Sequence, residues 1–136
     1  MRKVLAAAVA VVAMCFIAPS ASGADAPTGK ARNGKCEAGE FCLYWGAAQR
    51  GAVSDFRGSV SSYGSSQPGC YEFKTPKAPG HGQCVKNNAV SARNLTHKTV
   101  RVYFNSNYRG AYDTIKPGQS VPLHKTFVNN ASHKLL

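Results

Sequence analysis

The chain has 136 residues, with 17 Lys and Arg against six Asp and Glu, a net charge of +11 at neutral pH. That length bounds it to one domain with one core. Six acids, no two of them in a setting that suits a carboxylate pair, exclude a glycosidase site, and the scattered cations carry no recognisable nucleic-acid motif.

In chain order, Arg2 and Lys3 precede an apolar run from Val4 to Ile17, too short for a membrane span of about 20 residues. Ser22-Gly23-Ala24 satisfies the small-x-small cleavage rule, which predicts a signal peptide over 1–24 and export of the remainder. Met14 before Cys15 is too large for a lipobox, so a secreted, extracellular product with no membrane span is expected. A Pro/Gly/Ala-rich stretch over 25–35 reads as a flexible leader.

Removing the leader peptide removes Cys15 and leaves Cys36, Cys42, Cys70 and Cys84. An even count in a small exported chain points to two disulfides. Three pairings are open; the local ones, Cys36–Cys42 and Cys70–Cys84, are favoured because small rings suit a loop-rich chain. A zinc site is disfavoured, since no Cys-x-x-Cys pair is present and export favours oxidation.

Phe41, Leu43 and Trp45 share one face of an alternating run. Val100, Val102 and Phe104 do the same, with Arg101 opposite, the period of a half-buried strand. Lys116-Pro117-Gly118 places Pro and Gly where a type II turn requires them. Between the two alternating runs, residues 61–83 are rich in Ser, Gly and Pro, a long loop for so small a domain. A Cys70–Cys84 bridge would close its base, making Tyr71, Glu72, Phe73 and Lys74 the candidate binding loop. His81, His97, His124 and His133 are scattered and read as surface or turn residues. No catalytic motif is present, and no enzyme activity is expected.

Leu43-Tyr44-Trp45 through Gly51-Ala52 lies over Val102-Tyr103-Phe104 through Gly110-Ala111 at an offset of 59 residues. Asn88-Ala89-Val90-Ser91 lies over Asn129-Asn130-Ala131-Ser132 at 41. A self-match of this kind marks two copies of a unit that cannot bury its own apolar face. Motif one spans 41–98, with the insertion 61–83, and motif two spans 99–136, within a domain over 36–136.

These residues resemble a microbial βγ-crystallin. Tyr103…Tyr108-Arg109-Gly110 matches its aromatic-x4-aromatic-x-Gly element, and Tyr44…Gln49-Arg50-Gly51 is a degraded partner. Cys36…Phe41-Cys42-Leu43-Tyr44, Ser91-x-x-Asn94-x-Thr96, Asn107-Tyr108-Arg109-Gly110 and Pro117-Gly118 are similar to the secreted actinobacterial family of the Streptomyces metalloproteinase inhibitor. The resemblance implies an all-β, disulfide-stabilised, double Greek-key β-sandwich, with Gly51 and Gly110 at corners no Cβ could occupy and Ser91 and Ser132 bridging them. It also implies peptidase inhibition, with a protease as partner. The family's namesake presents a disulfide-bounded loop in the first hairpin of its second motif. Here Asn105 to Gly110 holds that place without a cysteine, so no reactive-site residue is carried over and the 70–84 loop takes the role. The same fold can hold calcium, for which Asn87, Asn88, Ser91, Asn129 and Ser132 are an incomplete and weak set; no other cofactor is implied. The alternative function is that of a cationic antimicrobial or antifungal protein, directed at an acidic cell-wall polymer or an anionic membrane surface; nucleic acid is no partner.

Overall fold

The computed structural model of the chain describes residues 32–136. The expected signal peptide over 1–24, and the leader as far as residue 31, lie outside the described residues. Among the described residues seven strands form: β1 (Phe41–Tyr44), β2 (Val53–Phe56), β3 (Ser91–Asn94), β4 (Val100–Asn105), β5 (Arg109–Ile115), β6 (Ser120–Pro122) and β7 (Ser132–Leu135). One 3-10 turn, Ala47–Gln49, joins β1 to β2. No helix of the described residues is long and apolar enough to cross a membrane.

Two antiparallel sheets result, with strand orders β2-β1-β3-β6 and β5-β4-β7. Each sheet borrows from the other half of the chain. β6, late in the sequence, pairs with β3, while Val60 of the first half pairs with His133 on β7 through two backbone hydrogen bonds of 2.9 and 3.0 Å.

The registers repeat as the sequence does. Leu43 faces Ser54 and Ala92 across its two neighbours; Val102 faces Asp113 and His133. Both sets are related by the offsets of 59 and 41, so Leu43 and Val102 hold equivalent places. The alternation of β1 and β4 sends Phe41, Leu43, Val100 and Val102 inward, where they meet Phe56, Tyr63, Phe73, Val85, Ile115 and Leu123 in one buried cluster. Trp45 packs against its rim. Phe104 departs from the expectation. The β4–β5 register shifts between Tyr103 and Asn105, so Phe104 leaves the core face and is 42% exposed.

Each copy folds its first hairpin over the sheet with the same chemistry. Ala48 and Gln49 (φ 54° and 56°) match Asn107 and Tyr108 (φ 61° and 60°), all left-handed. Ser91 Oγ donates to Gly46 O (2.7 Å) and accepts from Gln49 N–H (3.1 Å). Ser132 Oγ donates to Asn105 O (2.7 Å) and accepts from Tyr108 N–H (3.2 Å). At Gly110 (φ +83°) a Cβ would stand 2.6 Å from Asn105 Nδ2, and at Gly51 (φ +79°) 3.2 Å from Pro79 O. Tyr108 packs on Tyr103, centroids 5.9 Å apart. Gln49, in the same place of the first copy, instead donates its amide to Ala92 O and Val121 O (3.3 and 3.4 Å).

His133, expected at the surface, is fully buried. It occupies the place of Ala92 in the first copy, so its ring enters the core against Phe41 and Phe56 (4.9 and 4.6 Å). Nε2–H donates to Gly58 O and Nδ1 accepts from the Tyr63 hydroxyl, each at 2.8 Å, because a carbonyl can only accept. Burial lowers the imidazole pKa from 6.5 to about 4.

Two outcomes follow from this packing. The neutral ring contributes stability in full above about pH 6.5, where the unfolded chain is also neutral. The contribution is lost as pH falls toward 4, by about 3 kcal/mol; denaturant titrations from pH 7 to 4 should show the slope in the parent, and His133→Gln should flatten it. Ser132→Ala removes one donor and one acceptor from a buried corner and should cost about 1–3 kcal/mol, measured as a lower denaturant midpoint at unchanged m-value.

Candidate functional site

The insertion is sewn to the domain along its length. Cys36–Cys42 and Cys70–Cys84 are the disulfides of the described residues, with Cα–Cα distances of 5.9 and 5.7 Å. Inside the second ring, Glu72 bridges Cys84, Phe73 N–H donates to Gln83 O (3.0 Å) and Gly82 N–H donates to Phe73 O (2.9 Å). Lys74 N–H donates to Val53 O (2.7 Å) and Ala52 N–H to Pro79 O (2.9 Å), so the insertion covers the open edge of β2. Trp45 locks the far side: its indole lies edge-on to Phe73 at 5.7 Å and directly against Gly80 (φ +89°), where any Cβ would overlap the ring.

This anchoring decides which residues of the expected binding loop can meet a partner. Phe73 cannot: it is fully buried in the core. Glu72 and Lys74, its immediate neighbours, point the other way, as alternation in an extended segment requires, while Tyr71 shares the face of Phe73 and packs on Phe56 (5.6 Å) at the rim of the core. Tyr71 is 37% exposed. The Glu72 carboxylate lies at the surface, where it accepts from Lys74 Nζ (3.0 Å) and Gln67 Nε2 (2.7 Å); these hydrogen bonds hold its pKa below the usual carboxylate range. Exposed turns over 65–69 and 76–77 flank this strip.

Arg32 and Asp55 were not legible as site residues. Arg32 lies over Phe56 and Tyr71 (4.3 and 5.2 Å to the ring centroids) and donates to Ser54 Oγ, Asp55 O and Glu72 O. Asp55 accepts from Asn33 N–H and Gly34 N–H at 2.9 and 2.8 Å. Residues 32–34, within the expected flexible leader, are therefore tied to β2, and Arg32 lies against the ring of Tyr71.

The calcium set does not fit an ion. The hydroxyls of Ser91 and Ser132 are committed to the two corners. Asn88 donates its amide to Cys84 O and Asn129 donates its own to Phe127 O. Asn87 takes a left-handed turn (φ 61°), its N–H bonded to Asn130 O. No carboxylate joins these residues, and no group of three or more His, Cys, Asp or Glu able to hold a metal occurs among the described residues. With both serine hydroxyls committed and no carboxylate to add charge, neutral amide oxygens on a basic protein leave little to attract Ca²⁺.

The fold resembles that of a solved structure titled "Evolution of the eye lens beta-gamma-crystallin domain fold", with a TM-score of 0.55 and 13% identity over 86% of this chain and 93% of that one. At that identity the likeness concerns the fold alone. No curated protein matches the chain. The model of peptidase inhibitor family I36 matches residues 29–115, a span that takes in both disulfides, the whole insertion and the β4–β5 hairpin. With most of its length matched, the chain belongs to peptidase inhibitor family I36, and its role is that of an inhibitor and not of an enzyme.

Proposed function

We propose that the protein is a secreted inhibitor of a metallo-type peptidase and docks through the insertion 61–83. The observation that carries this reading is the anchoring of the insertion: Phe73 in the core, Trp45 on Gly80, and a disulfide at its base. Ordering a loop on binding costs about 0.5–1.5 kcal/mol for each side chain immobilised. A segment already held in place avoids much of that cost, so more of the interaction energy made at Tyr71, Glu72 and Lys74 is left for affinity.

A second reading rests on the outer face of the β5-β4-β7 sheet. There Arg101 lies over Tyr112 (4.5 Å) and Lys134 over Tyr108 (5.3 Å). Such a face suits an acidic cell-wall polymer or an anionic membrane surface, and its binding would fall steeply with salt.

Stoichiometric inhibition in a panel of peptidases separates the two. The inhibitor reading expects a thermolysin-type metallopeptidase to be inhibited one-to-one and equally at 50 and 500 mM salt; a panel with no inhibited member contradicts it. Opening the ring with Cys70→Ser and Cys84→Ser should lower stability by about 2–3 kcal/mol and weaken inhibition at least about tenfold, read from the inhibition constant at a temperature where both proteins are folded.

A further inference from the structure

The internal repeat supplies a control for every position of the second copy, and one pair of residues departs from it against the interests of the fold. Val128 has φ 46°, a left-handed conformation that is an outlier for a β-branched residue. The fold imposes it: the equivalent residue of the first copy, Asn87, has φ 61°, and the two N–H groups make matching bonds, Asn87 to Asn130 O (2.8 Å) and Val128 to Ala89 O (3.1 Å). The first copy meets the demand with Asn, which tolerates that conformation. The second meets it with Val, and places Phe127 where the first copy has Lys86.

Neither substitution improves the packing. Phe127 is 48% exposed and Val128 37% exposed, two adjacent apolar side chains at the tip of one loop. Backbone strain and exposed apolar surface together, at a position where the same chain elsewhere avoids both, are features of a binding contact.

The loop that carries them is rigid. On one side the Asp113 carboxylate accepts from the N–H groups of His124, Lys125 and Thr126 (3.1, 3.2 and 2.8 Å) and from Thr126 Oγ1 (2.6 Å). On the other, the buried Asn130 amide donates to Thr126 O (2.7 Å) and Ala89 O (3.0 Å). The loop is also joined to the segment that follows the insertion, Val128 N–H bonding Ala89 O. Asn88, beside Ala89, donates its side chain to Cys84 O at the base of the disulfide ring (2.8 Å).

We propose that Phe127 and Val128 are the apolar anchor of the inhibitory surface, and that they enter the apolar specificity pocket of the target metallopeptidase. The proposal rests on the inhibitor reading above and adds the residues that select the target. A pocket suited to large apolar side chains takes up the Phe127 ring and the Val128 branch together, and the strained backbone presents them without further ordering.

The first copy dictates the test. Phe127→Lys and Val128→Asn each restore the residue that the repeat carries at the matching position. Inhibition constants against a thermolysin-type metallopeptidase, thermal midpoints and solution mass are measured for the parent and both variants. Phe127→Lys should weaken inhibition at least about tenfold at unchanged midpoint. Val128→Asn should raise the midpoint by roughly 4 °C through relief of strain and still weaken inhibition, a combination that a merely structural residue does not produce. Inhibition by both variants within twofold of the parent overturns the anchor and leaves the inhibitor reading standing. A parent dimer that Phe127→Lys converts to monomers, with inhibition unchanged, assigns the patch to self-association and overturns it too. A parent that inhibits no metallopeptidase overturns both readings together.

Discussion

Neither half of this chain can close an apolar core by itself, and the exchange of segments between the two sheets is the constraint from which the rest follows. β6 completes the sheet of the first copy, and Val60 extends the sheet of the second. The inward side chains of both copies, Phe41 and Leu43 in one and Val100 and Val102 in the other, then lie in one buried cluster. The two serine-bridged corners serve this exchange. Each folds its first hairpin over its sheet, so that Gln49 at the tip of one reaches Val121 O on β6 and Asn107 at the tip of the other bonds Ser61 O.

The shared core explains where function can be placed. The sheet interior is filled, and His133, Tyr63 and Phe73 occupy positions that a ligand pocket would need. The surfaces proposed for recognition lie at the periphery: the insertion, grafted on the edge of β2, and the loop between β6 and β7. Both are attached at several points, the first by a disulfide, Phe73 and Trp45, the second by Asp113 and Asn130. A scaffold of this kind presents loops already held in place, which lowers the ordering cost of binding a partner.

Much of this was legible in the amino-acid sequence because the repeat carries its own registration. Offsets of 59 and 41 align the strands, and an even number of small-ring cysteines limits their pairing. The failures have physical causes. Phe104 obeys the period of its strand until a register shift turns it out. His133 is buried because its place opposite Val102 faces the core, as that of Ala92 does opposite Leu43, and a polar ring there gave no apolar signal. The alternation that sends Phe73 inward runs over too few residues, among too many Gly and Pro, to be read as a strand. Arg32 reaches its site with a long side chain from a segment whose composition resembles a linker. Residues Phe127 and Val128 did carry a signal, an apolar pair opposite Lys86 and Asn87, but its meaning needs the left-handed backbone that only the fold reveals.

Native-state hydrogen exchange tests the shared core most directly. If the two copies enclose one interior, the slowest-exchanging amides of β1 and β4 open with the same free energy and the same denaturant dependence, that of global unfolding. One set opening at distinctly lower free energy while the other stays protected would show two separable units, and would contradict the account.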